Sequence, residues 1–307
     1  MPDLHLRLGR DMLTVDGSLE TMLQRADIPS DECAAYLNVL DPELIEDIHR
    51  RYLMAGAACI STNTSQATRA QLAQFGLEEQ LEEINRAGVV AAREAGAPHI
   101  LATMGFCWEL LALSEPCKQD EKQHYNRCFD HYLEQACALI AAEVDALLIE
   151  SRTSLDDARC AVRAARTACA AMGSMPLVIA SCTFLENGRM TSCGSDVARA
   201  ASVLEEAGAD VMGLSCMEPA HLIELMQQLA SATTLPLIAL PNTGTPALDV
   251  NALAHYSITP DEIAFYAEQL HSCGVQFIGS CCGSTPAHTG ALYATLGDRD
   301  VIARTNS

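Results

Sequence analysis

Basic residues are scarce in this sequence. Its 307 residues carry 19 Lys and Arg against 40 Asp and Glu, a formal net charge of −21 at pH 7. That balance argues against a nucleic-acid partner, which needs a basic face, and it would repel an anionic lipid surface. Also missing is any uninterrupted apolar run approaching about 18 residues, so no transmembrane helix is expected. The start, Met1-Pro2-Asp3-Leu4-His5, lacks the basic-then-apolar order of a secretory signal. No Gly/Ser/Pro-rich linker or low-complexity stretch divides the chain. A single domain over residues 1–307 is therefore expected, in a cytoplasmic protein.

What is plentiful is apolar surface and sulfur. Hydrophobic residues make up 49% of the chain, enough for a large core, and there are 14 cysteines. Without a sign of secretion, these are expected as reduced thiols rather than as a disulfide framework.

One pattern recurs: a helical stretch, a small-residue turn, then a short apolar strand ending in polar residues. It runs from Tyr52 to Ile60 before Ser61-Thr62-Asn63, and from Ala141 to Ile149 before Glu150-Ser151. It returns from Glu206 to Leu214 before Ser215-Cys216, and from Ser272 to Ile278 before Gly279-Ser280-Cys281-Cys282-Gly283. Leu13–Val15, His99–Met104, Leu177–Ser181 and Leu237–Leu240 read as four further strands. Amphipathic stretches lie between them, among them Pro42–Met54, Glu78–Ala95, His124–Ala142, Ser154–Ala171, Val197–Ala207, Ala220–Leu229 and Pro260–Cys273. Eight strands alternating with helices predict an α/β fold with a parallel sheet, closed as a (β/α)8 TIM barrel. The open doubly wound alternative lacks a phosphate-binding Gly fingerprint after its first strand.

A barrel of this kind carries its chemistry at the C-terminal ends of its strands. In order, those ends are Asp16-Gly17, Thr62-Asn63-Thr64, Gly105-Phe106-Cys107-Trp108, Glu150-Ser151, Cys182-Thr183, Ser215-Cys216, Pro241-Asn242 and Cys281-Cys282. Acids, amides and thiols concentrate there. Adjacent cysteines at a strand end are better used on one soft metal ion than in a strained disulfide. With Cys216 they would make three thiolates and one open position, the ligand set of a catalytic Zn2+. Cysteine is also a small core residue, and 14 of them make chance neighbours common.

These residues resemble the homocysteine S-methyltransferase family, whose zinc barrel transfers methyl groups to a thiol. The resemblance runs from Val15-Asp16-Gly17 through Thr62-Asn63-Thr64 and Leu148-Ile149-Glu150 to the Cys281-Cys282 motif. Pro241-Asn242-Thr243-Gly244-Thr245-Pro246, followed by Tyr256 and Thr259-Pro260, looks like the homocysteine module of cobalamin-dependent methionine synthase. The resemblance implies Cys216, Cys281 and Cys282 as zinc ligands, and Asp16 and Glu150 as partners of the homocysteine ammonium. It places Asn63 and Thr64 in the lining of the same pocket. It implies no catalytic group beyond the metal site. Ser280, Ser215 and Ser151 depart from the usual Gly, Asn and Thr of the family, and all three adjoin the site.

The reaction implied is methyl transfer to a small-molecule thiol, giving methionine. The methyl donor is expected to be a small onium compound: S-methylmethionine, S-adenosylmethionine or betaine. Phe106, Trp108 and Tyr125 are candidate donor-binding residues, because aromatic faces attract sulfonium and quaternary ammonium groups. The alternatives are a separate methyl-corrinoid protein as donor, or a thiol redox or zinc-binding protein without transferase activity.

Overall fold

The computed structural model describes residues 3–28, 32–106, 121–191, 194–248, 254–297 and 299–302. Eight parallel strands form one sheet: β1 (Leu13–Thr14), β2 (Cys59–Ser61), β3 (His99–Met104), β4 (Ala146–Arg152), β5 (Leu177–Cys182), β6 (Val211–Ser215), β7 (Leu237–Leu240) and β8 (Val275–Ile278). Their order is β1-β8-β7-β6-β5-β4-β3-β2. A parallel bridge between Val15 and Cys59 closes the ring, with Ala58 N–H donating to the Thr14 carbonyl over 2.8 Å. The fold is the expected (β/α)8 barrel.

Among the described residues, eight helices longer than seven residues wrap it: α1 (Pro42–Met54), α2 (Leu81–Glu94), α3 (Glu121–Ala141), α4 (Leu155–Met172), α5 (Val197–Ala207), α6 (Pro219–Ala232), α7 (Pro260–Ser272) and α8 (Pro286–Leu296). Several start where the sequence marks a cap. Ser154 accepts from Asp157 N–H ahead of α4, and Thr259 with Glu262 forms a capping box ahead of α7. Proline at the first position of α1, α6, α7 and α8 costs no hydrogen bond there. A short hairpin, Ala247–Leu248 against Ala254–His255, follows β7 and was not foreseen.

The strands alternate with period two. In β4, Ala146 and Leu148 join Leu13, Val15, Ile179 and Phe277 inside the barrel, while Leu147 and Ile149 pack outward under the helices. Leu4, on a four-residue helix before β1, is fully buried in the inner cluster and plugs the N-terminal end. Burying a leucine of this kind is worth about 1.5–3 kcal/mol. No helix among the described residues is long and apolar enough to cross a membrane. Ten described cysteines are free, and Cys128 is disulfide-bonded, so the thiols do not form a disulfide framework among the described residues.

Candidate active site

Three cysteines meet at the C-terminal end of the barrel. Cys216 follows β6, and Cys281 and Cys282 follow β8, two strands away around the ring. Cys216 takes a left-handed backbone conformation, φ 58°, which turns its side chain back over the mouth. Such a conformation is costly outside glycine and is typical of functional sites. The Cys216 and Cys282 sulfurs lie 3.6 Å apart, those of Cys281 and Cys282 3.7 Å, and all three fall within 4.8 Å of one another. A tetrahedral ion with metal–sulfur bonds of about 2.3 Å requires sulfur separations of about 3.8 Å. The cluster could therefore hold a metal ion of that size. Cys282 is its acidic member, brought down to about 3 by hydrogen bonds from Cys216 and then Cys281. Cys281 is pushed well above the usual thiol range by its bonds to Cys216 and Cys282 and by burial.

Backbone contacts hold the pair in place. Thr243 donates its N–H (3.0 Å) and its hydroxyl (3.2 Å) to the Cys282 carbonyl, and Ser284 Oγ donates to the Cys281 carbonyl over 2.6 Å. Gly283 sits at φ 82°, and a Cβ there would lie 2.2 Å from Thr243 Oγ1 and from the Tyr256 ring. Only glycine lets the loop close over the thiols.

Beside the thiols opens a cavity of about 180 Å³, lined by Asp16, Glu150, Ser61, Asn63, Cys281 and Cys282 among others. Glu20 and Glu32 also line it, and among the described residues no Lys or Arg does. Asp16 is 3% exposed, and both of its oxygens accept from Ser61, Oδ2 from the N–H (2.9 Å) and Oδ1 from the hydroxyl (2.7 Å). Burial nevertheless pushes this carboxyl up to about 8, and Glu150 nearby adds to the rise. Glu150 lies at a break in register, where β4 and β5 pair regularly up to Ile149 and again at Arg152. Bulges of this kind re-aim side chains next to active sites. Ser280 also lines the cavity, and its buried hydroxyl lacks a hydrogen-bond partner.

The other candidates divide. Asn63 lines the cavity, but its amide nitrogen is spent on the Ala34 carbonyl (2.6 Å) and Asn38 Oδ1 (3.0 Å), so it braces the loop. Thr64 is fully buried and does not line the cavity; its hydroxyl donates to the Thr103 carbonyl over 2.6 Å. The structure turns it inward because it caps the β2–β3 register. Tyr125, on α3, packs beside Cys160 of α4 and is likewise outside the cavity wall. Phe106 ends the described part of its loop and is not among the lining residues, while Trp108 lies outside the described residues.

Three residues escaped the sequence reading. Ser61 was legible only through the strand order that puts β2 beside Asp16. Tyr256 stood in a quoted motif without a role. Arg152 is a fully buried cation: it bonds Asp157 over 3.0 Å and the Met104 carbonyl over 3.0 Å, reaches the Gly105 carbonyl, and lies 5.4 Å from the centre of the Tyr132 ring. An arginine two places after a glutamate in an apolar strand was the available signal. Its pairing ties the end of β3 to the start of α4.

A model of the homocysteine S-methyltransferase family matches residues 13–296. The chain belongs to that family. Methionine synthase from Mycobacterium tuberculosis is 30% identical over 305 residues, covering 94% of this chain and 25% of that protein. Methionine synthase from Mycobacterium leprae is 30% identical over 310 residues, covering 96% and 25%. The chain thus spans about a quarter of the length of these curated relatives. Among solved structures, the metallated form of the homocysteine methyltransferase MmuM from Escherichia coli superposes with a TM-score of 0.75 at 24% identity, covering 92% of this chain and 96% of that one. A methyltransferase from Methanosarcina mazei reaches 0.59 at 13% identity, covering 94% of each chain. At these identities the structural likeness carries the fold.

Proposed function

We propose that this chain is a zinc-dependent S-methyltransferase that moves a methyl group from a small onium donor to homocysteine, giving methionine. The observation that carries the reading is the convergence of three cysteine sulfurs at tetrahedral spacing beside an acidic cavity. Cys216, Cys281 and Cys282 would hold the metal, leaving one position open. Bound zinc supplies deprotonation of the acceptor thiol at neutral pH, where a free alkyl thiol near 8.5 is mostly protonated. Asp16 and Glu150 are assigned to the acceptor's ammonium group, and Ser61 fixes the Asp16 carboxylate for it. As the acceptor sulfur bonds the methyl carbon, the donor's bond to that carbon breaks and the donor leaves neutral. Holding the two in line removes much of the entropic barrier.

A cavity whose charged lining, among the described residues, is carboxylates supports a positively charged donor such as S-methylmethionine, S-adenosylmethionine or betaine. Of the aromatic donor contacts, Trp108 is retained in this reading and Tyr125 is not. The stretch Pro241-Asn242-Thr243-Gly244, like that of cobalamin-dependent methionine synthase, supports a second reading with a separate methyl-corrinoid protein as donor. The same reading treats residues 1–307 as one homocysteine-binding barrel in the cytoplasm. The test is a donor panel with homocysteine and the zinc-loaded protein, comparing wild type with Trp108→Ala. Methionine formed from one onium compound is the expected result. Turnover only with a methyl-corrinoid protein would replace the donor, and no turnover with any donor would leave a zinc-binding protein.

A further inference from the structure

No contact within the protein explains one residue of the cavity wall. Ser280 lines the cavity, is 5% exposed, and has a fully buried hydroxyl without a hydrogen-bond partner. A buried hydroxyl left in this way costs stability, so such groups are few and call for a use. Other polar residues of the same wall are engaged. Ser61 gives its N–H and its hydroxyl to Asp16, Thr62 bonds Thr64 over 2.6 Å, and the Asn63 amide holds Ala34 and Asn38.

The backbone fixes where Ser280 stands. Its N–H donates to the Asp16 carbonyl over 3.3 Å, and the next N–H, of Cys281, donates to the Pro241 carbonyl over 2.7 Å. A Cβ at Gly279 would lie 2.8 Å from that Asp16 carbonyl and from Val15, so only glycine lets the chain run this close to the end of β1. Ser280 therefore lies between Asp16, assigned above to the acceptor's ammonium, and Cys281, assigned to the metal.

An amino-acid thiol brings a third group to this place. Its carboxylate is on the same carbon as its ammonium, so it must come to rest within reach of the Asp16 site. The charged lining there has the carboxylate's own sign: Asp16, Glu20, Glu32 and Glu150, with no Lys or Arg among the described residues. An anion in such surroundings needs a neutral donor, which a serine hydroxyl can be. A bond of this kind to an ionised group is stronger than one between neutral groups.

We propose that the Ser280 hydroxyl donates to the acceptor's carboxylate and so selects α-amino-acid thiols over thiols that carry an amine alone. The inference rests on the reading of homocysteine as acceptor.

The test compares two thiols by calorimetry on the zinc-loaded protein. One is homocysteine. The other is 3-aminopropane-1-thiol, which keeps the thiol and the ammonium but lacks the carboxylate. Ser280→Ala should bind homocysteine about tenfold more weakly than wild type does, as expected for the loss of one hydrogen bond to a charged group. Its affinity for the amine thiol should be unchanged, because that ligand offers the hydroxyl nothing to bond. Zinc content should match that of wild type. An equal loss for both thiols, with or without loss of zinc, would overturn the proposal and make Ser280 a packing residue. Wild-type affinity of the variant for homocysteine would sink the inference alone. If wild type binds neither thiol, the reading of the acceptor fails, and this inference with it.

Discussion

Aspartates stand at both ends of this barrel, and the two ends treat them in opposite ways. At the N-terminal end, Asp145 accepts from the Ile100 N–H over 2.8 Å, and Asp210 accepts from the Val178 N–H over 2.8 Å while pairing with Arg166. Each ties its own strand start to the neighbouring strand. Burial, the largest influence on Asp145, would raise its carboxyl. His99 at 3.9 Å, the Ile100 N–H and Arg93 outweigh it and hold the group below the usual range. At the C-terminal end, Asp16 has two hydrogen bonds from Ser61, yet its carboxyl rises to about 8. It is fully buried, and its charged neighbour is the anion Glu150. The lesson concerns compensation. Asp145 and Asp210 at the plugged end are satisfied by backbone amides and cations, whereas Asp16 at the open end is held by the amide and hydroxyl of Ser61 beside another anion.

Removing the thiols should sharpen this contrast most. The triple variant Cys216→Ala, Cys281→Ala, Cys282→Ala is expected to drop from about one zinc per chain to none by metal analysis. Its circular dichroism should stay that of a folded barrel, because the plugged end is untouched. Equal zinc in the triple variant would refute the ligand assignment.

Asp16→Asn comes next. Loss of a charged hydrogen bond is expected to weaken homocysteine binding by about 1.5–3 kcal/mol by calorimetry, with zinc content unchanged. The pH dependence has a definite sign. The folded carboxyl at about 8 lies above its ordinary 3.8, so folding takes up a proton between those values. Wild-type stability should therefore fall, relative to the Asn variant, as pH rises from about 4 to about 8, then level off. Asparagine mimics the protonated acid and can still bond both groups of Ser61, so its curve lacks this decline. Parallel melting curves for the metal-free proteins would mean that Asp16 is ionised throughout.

The smallest effect is expected at the other end. Asp145→Ala leaves the Ile100 N–H without its acceptor and should cost about 1 kcal/mol in a urea melt. Homocysteine affinity should be unchanged, and a loss there would erase the distinction between the two ends.

Much of this was legible beforehand. The strands His99–Met104 and Leu237–Leu240 and the helices Pro42–Met54 and Val197–Ala207 were read with the bounds they have. Their signals are local: short apolar runs with period two, and caps such as Asp41 and Asp196. The bend at Glu150 was not legible, because a register break depends on the partner strand. Thr64 was placed in the pocket lining by the family resemblance, yet it is fully buried and its hydroxyl is consumed by the Thr103 carbonyl of β3.

By itself the sequence determined which end of the barrel would carry the chemistry, since polar residues collect where each apolar run stops. It also determined that Cys281 and Cys282 would lie together. Tertiary structure alone decided that Cys216 comes within 3.6 Å of Cys282 from two strands away, that the Tyr256 ring packs against Gly283, and that Asp16 is fully buried. The physical reason is range. Strand direction and capping follow from neighbours in the chain, whereas desolvation and hydrogen-bond partners are summed over groups that meet only when the barrel closes.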